Sequence, residues 1–398
     1  MNTNNIDLIL SRRVAEAIDK GSLKKKLSSG KKLRIKLGID PNRPELHIGH
    51  AVPLMKLREF QNAGHQAVLI IGDWTALIGD PSGKDETRPQ LTKKDVAGNV
   101  KKFKAQAYQI LDKKKTEIRL QSEWYKKMGL EKIIELGSHV SVGQMLSHET
   151  FRKRLDLGQP FSFHELLYPL LQGYDSVAVK SDIELGALDQ KFNVLMGRAM
   201  QHAYGQSPQD VILMPYLIGT DGREKMSKSL GNFIALSDSA EEMFGKVMRI
   251  NDVMMEQYFY LCTEMPADEI GKVLKWPDKK RVKMLLAKEI TKLYHGQKPA
   301  EAAEQNFESK FGKEKNLEIA VADKVLTADK VLLGHDGKKS LVEILVESKL
   351  ASSKSEARRK ILEGAIDING ERVADIAHRF KPEKNTLVRF GRKLLKFQ

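Results

Sequence analysis

Two histidines near the start of the chain have a spacing that suits phosphate chemistry. His47 and His50 stand one helical turn apart, directly after a predicted strand and a loop with two prolines. Residues at i and i+3 share one face of a helix, and the free N–H groups of a helix start attract anions. Gly49 lies between them and leaves space for a phosphate or an adenine to approach the backbone. No further ligand stands at a suitable spacing, so the pair favours an ATP site over a metal site.

A second segment, residues 225–229 (KMSKS), supplies cations about 180 residues further on. When a carboxylate attacks the α-phosphate of ATP, negative charge grows on that phosphate and on the departing pyrophosphate. Positioning and charge stabilisation are then enough for catalysis, without covalent chemistry. A solvated surface loop is the simpler alternative, but the preceding glycines, Gly219 and Gly222, would give the lysines the mobility to close over ATP. We therefore predict catalytic or ATP contacts from the whole segment: Lys225, Met226, Ser227, Lys228 and Ser229.

A third segment, residues 79–84 (GDPSGK), ends in Gly-Lys as a P-loop does. The P-loop pattern also needs a glycine where Ile78 stands and a serine or threonine where Asp85 stands. This segment is therefore not a P-loop.

Elements that would position these residues follow an α/β pattern. Residues 33–39 and the apolar run 66–73 read as buried strands, with an amphipathic helix between them that opens at His47 and ends before Gly64. Residues 211–219 read as a later strand of the same sheet, whereas 90–205 are mostly helical in pattern. The chain is thus predicted to contain a Rossmann-like parallel sheet with a helical insertion, in a domain that spans residues 1–235.

The remainder is predicted to form a helical domain (236–311), a linker (312–338) and a small α+β domain (339–398). In the last part, Ser353 is a plausible helix N-cap and Asn369-Gly370 is a hairpin signal.

The charge of the chain indicates a polyanionic partner. The net charge is +15, and residues 339–398 carry 14 Lys and Arg against 8 Asp and Glu, a net +6. Basic clusters bind nucleic acids because each neutralised phosphate releases counterions. The longest apolar run, 67–71, is far shorter than the roughly 20 residues that span a bilayer. The N-terminus lacks the features of a signal peptide and Cys262 has no partner for a disulfide, so we expect a cytoplasmic protein.

In this order, the HIGH (47–50) and KMSKS (225–229) segments resemble the paired signature of class I aminoacyl-tRNA synthetases. The GDPSGK segment closely resembles that of the tyrosyl-tRNA synthetases. This resemblance implies that Asp80 pairs with the substrate ammonium and that Lys84 and Arg88 help to bind pyrophosphate.

Residues 168–175 (YPLLQGYD) resemble the helix with which this family recognises the amino acid. The resemblance implies that Tyr168 and Gln172 contact the α-amino group and that Asp175 accepts a hydrogen bond from the phenol. The spacing i, i+4, i+7 places all three on one helix face, a pattern that an ordinary amphipathic helix does not need.

Other positions carry over in the same way. Asp189 resembles the ribose-binding aspartate, Gln190 its neighbouring glutamine, and Asp40 the aspartate that lines both the ATP and the tyrosine sites. Lys36 departs from the family pattern because many members have a tyrosine there that touches the phenol hydroxyl. We expect Lys36 at the tyrosine site, with phenol recognition relying more on Asp175. Asn42 and Leu188 are lesser departures.

The last 60 residues resemble the small RNA-binding domain first seen in a ribosomal small-subunit protein. The match implies RNA contacts from the basic residues of its second helix: Lys354, Arg358, Arg359 and Lys360.

Together these resemblances imply a homodimeric tyrosine–tRNA ligase. Its partners would be ATP with Mg²⁺, L-tyrosine and tRNA(Tyr), and residues 236–311 would form the anticodon-side domain. A tryptophanyl-tRNA synthetase shares both signatures, but it usually lacks the C-terminal domain and the Tyr-Gln-Asp face. A cytidylyltransferase-like enzyme would lack the lysine loop. A non-catalytic RNA-binding paralogue typically loses the histidines, the lysines or the aspartate at position 80, which are all present here.

Overall fold

The computed structural model describes residues 3–82, 91–311, 324–326, 338–391 and 393–397. Two compact units, residues 1–296 and 297–398, make up the chain. Within the described residues, no helix is both long and apolar enough to cross a membrane. The domain boundaries suggested by the sequence stay predictions.

A six-stranded sheet lies at the centre of the described part of the first unit. In chain order its strands are β1 (Glu16–Ile18), β2 (Arg34–Ile39), β3 (Gln66–Ile71), β4 (Thr116–Leu120), β5 (Ile183–Ala187) and β6 (Asp210–Met214). Their order across the sheet is β1-β6-β5-β2-β3-β4. All neighbours are parallel except β1, which runs antiparallel to β6 at the edge. From β2 the chain thus continues to β3 and β4 on one side of the sheet, and later to β5 and β6 on the other side. A point where the strand order reverses in this way is a switch point, and ligands bind there beyond the carboxyl ends of the strands.

Helices fill both the connections and the C-terminal part of the first unit. They are α1 (Thr3–Ser11), α2 (Lys20–Ser28), α3 (Ile48–Asn62), α4 (Thr75–Ile78), α5 (Lys93–Ala107), α6 (Ser122–Tyr125), α7 (Leu130–Ser138), α8 (Val142–Leu146), α9 (Glu149–Asp156), α10 (Phe163–Val179), α11 (Lys191–Ala203), α12 (Ala240–Val247), α13 (Met255–Cys262), α14 (Ala267–Leu274) and α15 (Lys279–His295). Short 3₁₀ turns occupy Lys113–Lys115, Leu188–Gln190 and Asp252–Met254. The predicted end of α3 is confirmed, because Gly64 follows it with φ of +93°.

The predicted parallel α/β sheet is confirmed, with two differences in its strands. β6 ends at Met214 rather than 219, because Pro215 lacks the N–H that would continue the ladder. β4 and β5 lie inside the stretch read as mostly helical. Neither is a plain apolar run: β4 is a half-buried edge strand, and the central strand β5 contains Glu184.

The described residues of the second unit form three helices and several short strands. They are α16 (Gln297–Phe311), β7 (Lys324–Leu326), β8 (Lys339–Ser340), α17 (Leu341–Glu347), α18 (Lys354–Leu362), β9 (Ile366–Ile368), β10 (Glu371–Arg372), β11 (Arg379–Phe380), β12 (Leu387–Phe390) and β13 (Lys393–Phe397).

Two local signals in the second unit are confirmed. The Ser353 hydroxyl caps α18 by accepting a hydrogen bond from the Glu356 N–H at 3.2 Å. Asn369 and Gly370 turn between β9 and β10 with φ of +47° and +90°. The predicted linker, 312–338, lies outside the described residues except for 324–326 and residue 338.

Candidate active site

The two signature segments meet at the carboxyl end of the sheet. His47 forms an antiparallel β-bridge with Ala235, and the Ile48 N–H donates to the Ile234 carbonyl at 3.0 Å. The chain that follows the KMSKS segment is therefore hydrogen-bonded to the start of α3. This pairing explains how residues about 180 positions apart in sequence share one site.

The two imidazoles of this segment are in contact and neutral. Their ring centroids are 3.7 Å apart, and His50 Nδ1 accepts from the His47 backbone N–H at 3.3 Å. The proton of His50 therefore lies on Nε2. Burial lowers the pKa of His47 to about 2, assisted by the adjacent His50 and by the positive charge of Lys228, and burial with the charge of Lys228 lowers the pKa of His50 to about 3. Both rings can contact phosphate as neutral N–H donors.

Gly49 has a steric role in this arrangement. A Cβ atom there would lie 2.9 Å from His47 Nδ1. The sequence predicts free space for a ligand next to Gly49. In this structure the imidazole of His47 occupies that space. Its predicted contact with ATP stays a prediction.

Loop residues of the KMSKS segment are held by specific contacts. Met226 is buried, with its N–H donating to the Leu217 carbonyl at 2.8 Å. The Ser227 N–H donates to Asn232 Oδ1 at 2.7 Å, and the hydroxyls of Ser227 and Ser229 are 2.7 Å apart. These contacts fix the backbone from which the two lysines extend.

Both lysines of the loop have partners at the site. Lys225 forms an ion pair with Asp189, the predicted ribose-binding residue. The Lys228 ammonium donates to the Glu45 carbonyl, just before the first histidine. Burial lowers the pKa of Lys228 to about 8, against the opposing charge of Glu45. The loop is thus tied both to Asp189 and to the segment just before His47.

Beyond the carboxyl end of β2, Asp40 links two elements. The Tyr168 hydroxyl on α10 donates to Asp40 Oδ2 at 3.0 Å, and the Thr75 hydroxyl donates to Oδ1 at 2.6 Å. Gly72 is required here, since a Cβ at that position would collide with the Asp40 carboxylate. One turn after Tyr168, the side-chain oxygen of Gln172 is buried and has no partner among the described residues.

Further along the same face of α10, Asp175 is a buried carboxylate surrounded by donors. It accepts hydrogen bonds from Gln121 Nε2 at 2.7 Å, Trp124 Nε1 at 3.1 Å and the Tyr125 hydroxyl at 3.0 Å. Burial raises the pKa of Asp175 to about 7, and the positive charge of Lys36 opposes this rise. The sequence predicted neither these three donors nor β4, the strand that precedes them.

Lys36 lies fully buried on β2, where its ammonium is already paired. It donates to Ser176 Oγ at 2.8 Å and to the Gln172 carbonyl at 3.1 Å, and its Nζ lies 2.9 Å from Glu184 Oε1. Its predicted contact with the substrate stays a prediction. In the structure Lys36 compensates Glu184 and acts on Asp175 through its charge.

The predicted ammonium-binding residue, Asp80, is held on both oxygens. Its Oδ2 accepts from Gln190 Nε2 at 2.7 Å, and its Oδ1 accepts from the Ser82 N–H at 2.9 Å. Asp80 and Gln190 are half-buried, with Ser82 buried behind them. The two other predicted residues of this segment, Lys84 and Arg88, lie outside the described residues.

In the second unit, α18 presents a basic face. Lys354, Arg358 and Arg359 are exposed, whereas Ala357 and Ile361 of the same helix are buried. Lys360, the fourth predicted RNA contact, is half-buried and pairs with Glu363 at 2.6 Å. Exposed cations on one helix face suit contact with a phosphate backbone.

A parallel sheet with paired imidazoles and loop lysines at its carboxyl edge defines a class I aminoacyl-tRNA synthetase. Residues 28–312 match the family model described as tRNA synthetases class I (W and Y). Residues 325–394 match the tyrosine–tRNA ligase SYY-like C-terminal domain.

Similar proteins are found across nearly the whole length of the chain. The tyrosine–tRNA ligase of Thermotoga maritima is 45% identical over 390 residues, which cover 97% of this chain and 95% of that protein. That of Dehalococcoides mccartyi strain CBDB1 is 45% identical over 378 residues, covering 94% and 93%. A C-terminally truncated mitochondrial tyrosyl-tRNA synthetase of Aspergillus nidulans shares the fold, with a TM-score of 0.68 at 22% identity over 78% of this chain and 95% of its own. The chain belongs to the tyrosyl-tRNA synthetase family and is a ligase.

The low pKa values of the two histidines generate a prediction about stability and pH. Because their folded pKa values lie below the ordinary value, the unfolded state takes up protons first as the pH falls. The stabilisation is complete above about pH 6.5 and is lost progressively below it. We expect the free energy of unfolding, measured with urea, to fall in the native protein between pH 7.5 and 5.5. In a His47→Gln/His50→Gln variant this fall should be smaller, by up to about 1 kcal/mol for each histidine. Identical pH responses in the two proteins would show that the imidazoles are not held neutral.

Proposed function

We propose that this enzyme activates L-tyrosine with ATP and transfers the tyrosyl group to the 3′-terminal ribose of tRNA(Tyr). The observation that carries the choice of amino acid is the buried Asp175, which shares a helix face with Tyr168 and Gln172. Its three protein donors leave the carboxylate with acceptor capacity for one further hydrogen bond. A phenol hydroxyl supplies that bond, whereas the side chain of phenylalanine cannot.

At the other end of the amino acid, Asp80 and Gln172 suit an ammonium group. Each Asp80 oxygen accepts one protein hydrogen bond and retains a second lone pair. The buried Gln172 oxygen gains a partner when an ammonium binds beside it. The proposed tyrosine site is completed by Tyr168, Asp40 and Gln190, and by the charge of Lys36.

Activation is a displacement at phosphorus. A carboxylate oxygen of tyrosine attacks the α-phosphorus, the bond to the β-phosphate oxygen breaks, and pyrophosphate leaves. The neutral N–H groups of His47 and His50 stabilise the charge that develops on the phosphate oxygens, and Lys225 and Lys228 stabilise the pyrophosphate. ATP enters as its Mg²⁺ complex, with its ribose at Asp189 and its phosphates near Gly49, Lys84 and Arg88.

Transfer to tRNA completes the proposed reaction. The terminal ribose hydroxyl attacks the tyrosyl carbonyl carbon, and AMP leaves. We assign catalysis to residues 1–235, anticodon-side contacts to 236–311 and RNA backbone contacts to the basic face of α18 in the domain 339–398, joined by 312–338. The exposed side chains of Lys354, Arg358 and Arg359 support this last assignment.

We further propose a cytoplasmic homodimer. Six of the large exposed apolar side chains lie on the successive helices α7 to α10 or directly after α9: Leu130, Ile134, Val142, Leu155, Leu157 and Phe163. On α7, Leu136 faces the core while Leu130 and Ile134 are 74% and 64% exposed on the other side. A helix that is apolar on two faces supports a second packing partner.

The dimer generates its own prediction. A Leu130→Lys/Ile134→Lys variant should shift the molar mass measured by light scattering toward that of one chain, because buried unpaired lysines oppose association. A Leu8→Lys/Val253→Lys variant is the matched control, since those side chains are 55% and 82% exposed but belong to α1 and to the turn Asp252–Met254. A monomeric native protein, or equal dissociation of both variants, would contradict this interface.

The activity itself is tested by ATP–pyrophosphate exchange with each of the twenty amino acids, in the absence of tRNA. We expect exchange with tyrosine alone. Exchange with tryptophan would overturn the assignment of the pocket, and the lack of any exchange would indicate an RNA-binding paralogue without catalysis.

Selectivity should depend on Asp175. An Asp175→Ala variant is expected to lower the ratio of kcat/KM for tyrosine over phenylalanine by about tenfold to a hundredfold, as expected for one lost hydrogen bond to a charged group. Asp210→Ala is a suitable control, because Asp210 is as buried as Asp175 but pairs with Lys26 and Arg198, away from α10. If selectivity is unchanged in the first variant, α10 does not read the phenol.

A further inference from the structure

Asp80 and Gln190 belong to a closed hydrogen-bonded ring with two buried residues, Ser82 and Asn193. Asn193 Nδ2 donates to Gln190 Oε1 at 3.1 Å and to Ser82 Oγ at 3.2 Å. Gln190 Nε2 and the Ser82 N–H then both donate to Asp80. Asn193 is fully buried and Ser82 is 5% exposed, so this part of the ring is shielded from water.

The chemistry of the ring fixes the orientation of both amides. An ionised carboxylate only accepts, so Gln190 must present its NH₂ group to Asp80 and its oxygen to Asn193. Asn193 in turn must present its NH₂ group to Gln190. Without this donor the Gln190 amide could rotate, and the carboxylate would lose a partner that holds it in place.

His148 supports the ring from a different element. It precedes α9, and its Nδ1 accepts from the Thr150 N–H at 3.2 Å. Its proton therefore lies on Nε2, which is 3.3 Å from Ser82 Oγ and donates to it. The imidazole is 3% exposed and packs between the rings of Phe151 and Phe192, with centroid distances of 4.9 and 4.8 Å. Burial also lowers the pKa of His148, which keeps the ring neutral.

We propose that Asn193 and His148 are positioning residues for the substrate ammonium. They act through Gln190 and Ser82 to hold the Asp80 carboxylate with one lone pair of each oxygen available for the amino acid. Neither residue touches the substrate in this proposal. The inference rests on the proposed function, because the ammonium is that of tyrosine.

The experiment compares two competitive inhibitors of tyrosine-dependent exchange. Tyrosinol retains the amine of tyrosine, whereas 3-(4-hydroxyphenyl)propanoate lacks it. In an Asn193→Leu variant we expect the inhibition constant of tyrosinol to rise by about tenfold or more, the size expected when a hydrogen bond to a charged group is misplaced. The inhibition constant of the compound without an amine should stay the same.

Matched variants separate positioning from a loss of stability. Gln201 lies on the same helix, α11, and is 1% exposed, but its hydrogen bonds go to the Ser181 carbonyl and the Gln209 N–H. Gln201→Leu should therefore leave the ratio of the two inhibition constants unchanged. His148→Leu should shift the ratio in the same direction as Asn193→Leu, and His148→Gln should restore it, because a glutamine N–H can replace Nε2 as the donor.

The outcomes distinguish a failure of the positioning role from a failure of the proposed function. An equal rise in both inhibition constants, or no change in either, would contradict the positioning role while the proposed function stands. The positioning role would also be contradicted if the native protein exchanges with tyrosine but binds tyrosinol no more tightly than the compound without an amine. Native protein that shows no tyrosine-dependent exchange would overturn the proposed function itself.

Discussion

Every charge buried at this site needs a partner, and that requirement organises the pocket. An unpaired ionised group in a protein interior is costly, so buried charges are found paired and hydrogen-bonded. Lys36 on β2 is compensated by Glu184 on the adjacent strand β5, and Asp175 is surrounded by three donors. The central strands, α10 and the segment after β4 are thereby tied together beneath the proposed phenol position.

The same principle extends to the other end of the amino acid. Asp80 is satisfied by Gln190 and Ser82, which Asn193 joins into a ring. Asp40 is held by Tyr168 and Thr75. Each carboxylate is thus oriented before a ligand arrives, and a preorganised site does not have to reorganise during the reaction. The winding of the chain in both directions from β2 brings these residues to one edge of the sheet.

Short motifs with a clear physical purpose could be predicted from the sequence. The strands β2 and β3 could be recognised as apolar runs, and the two signature segments indicated one reaction. Their spacing in the sequence does not show the β-bridge between His47 and Ala235. The supporting residues could not be found in this way. Glu184 and Lys36 break the apolar pattern of their strands, and their compatibility with the core appears only when the two strands are paired. Gln121, Trp124 and Asn193 are ordinary residues whose roles depend on contacts with distant positions.

A crystal structure of the protein with L-tyrosine bound would test the assignment of the tyrosine pocket. We expect the phenol oxygen within about 3 Å of the Asp175 carboxylate, the usual length of such a hydrogen bond. The ammonium should lie against Asp80 and Gln172, and Lys36 should remain paired with Glu184. A phenol bound to Lys36 in place of Asp175, or an amino acid bound in the reverse direction, would contradict the assignment of the site.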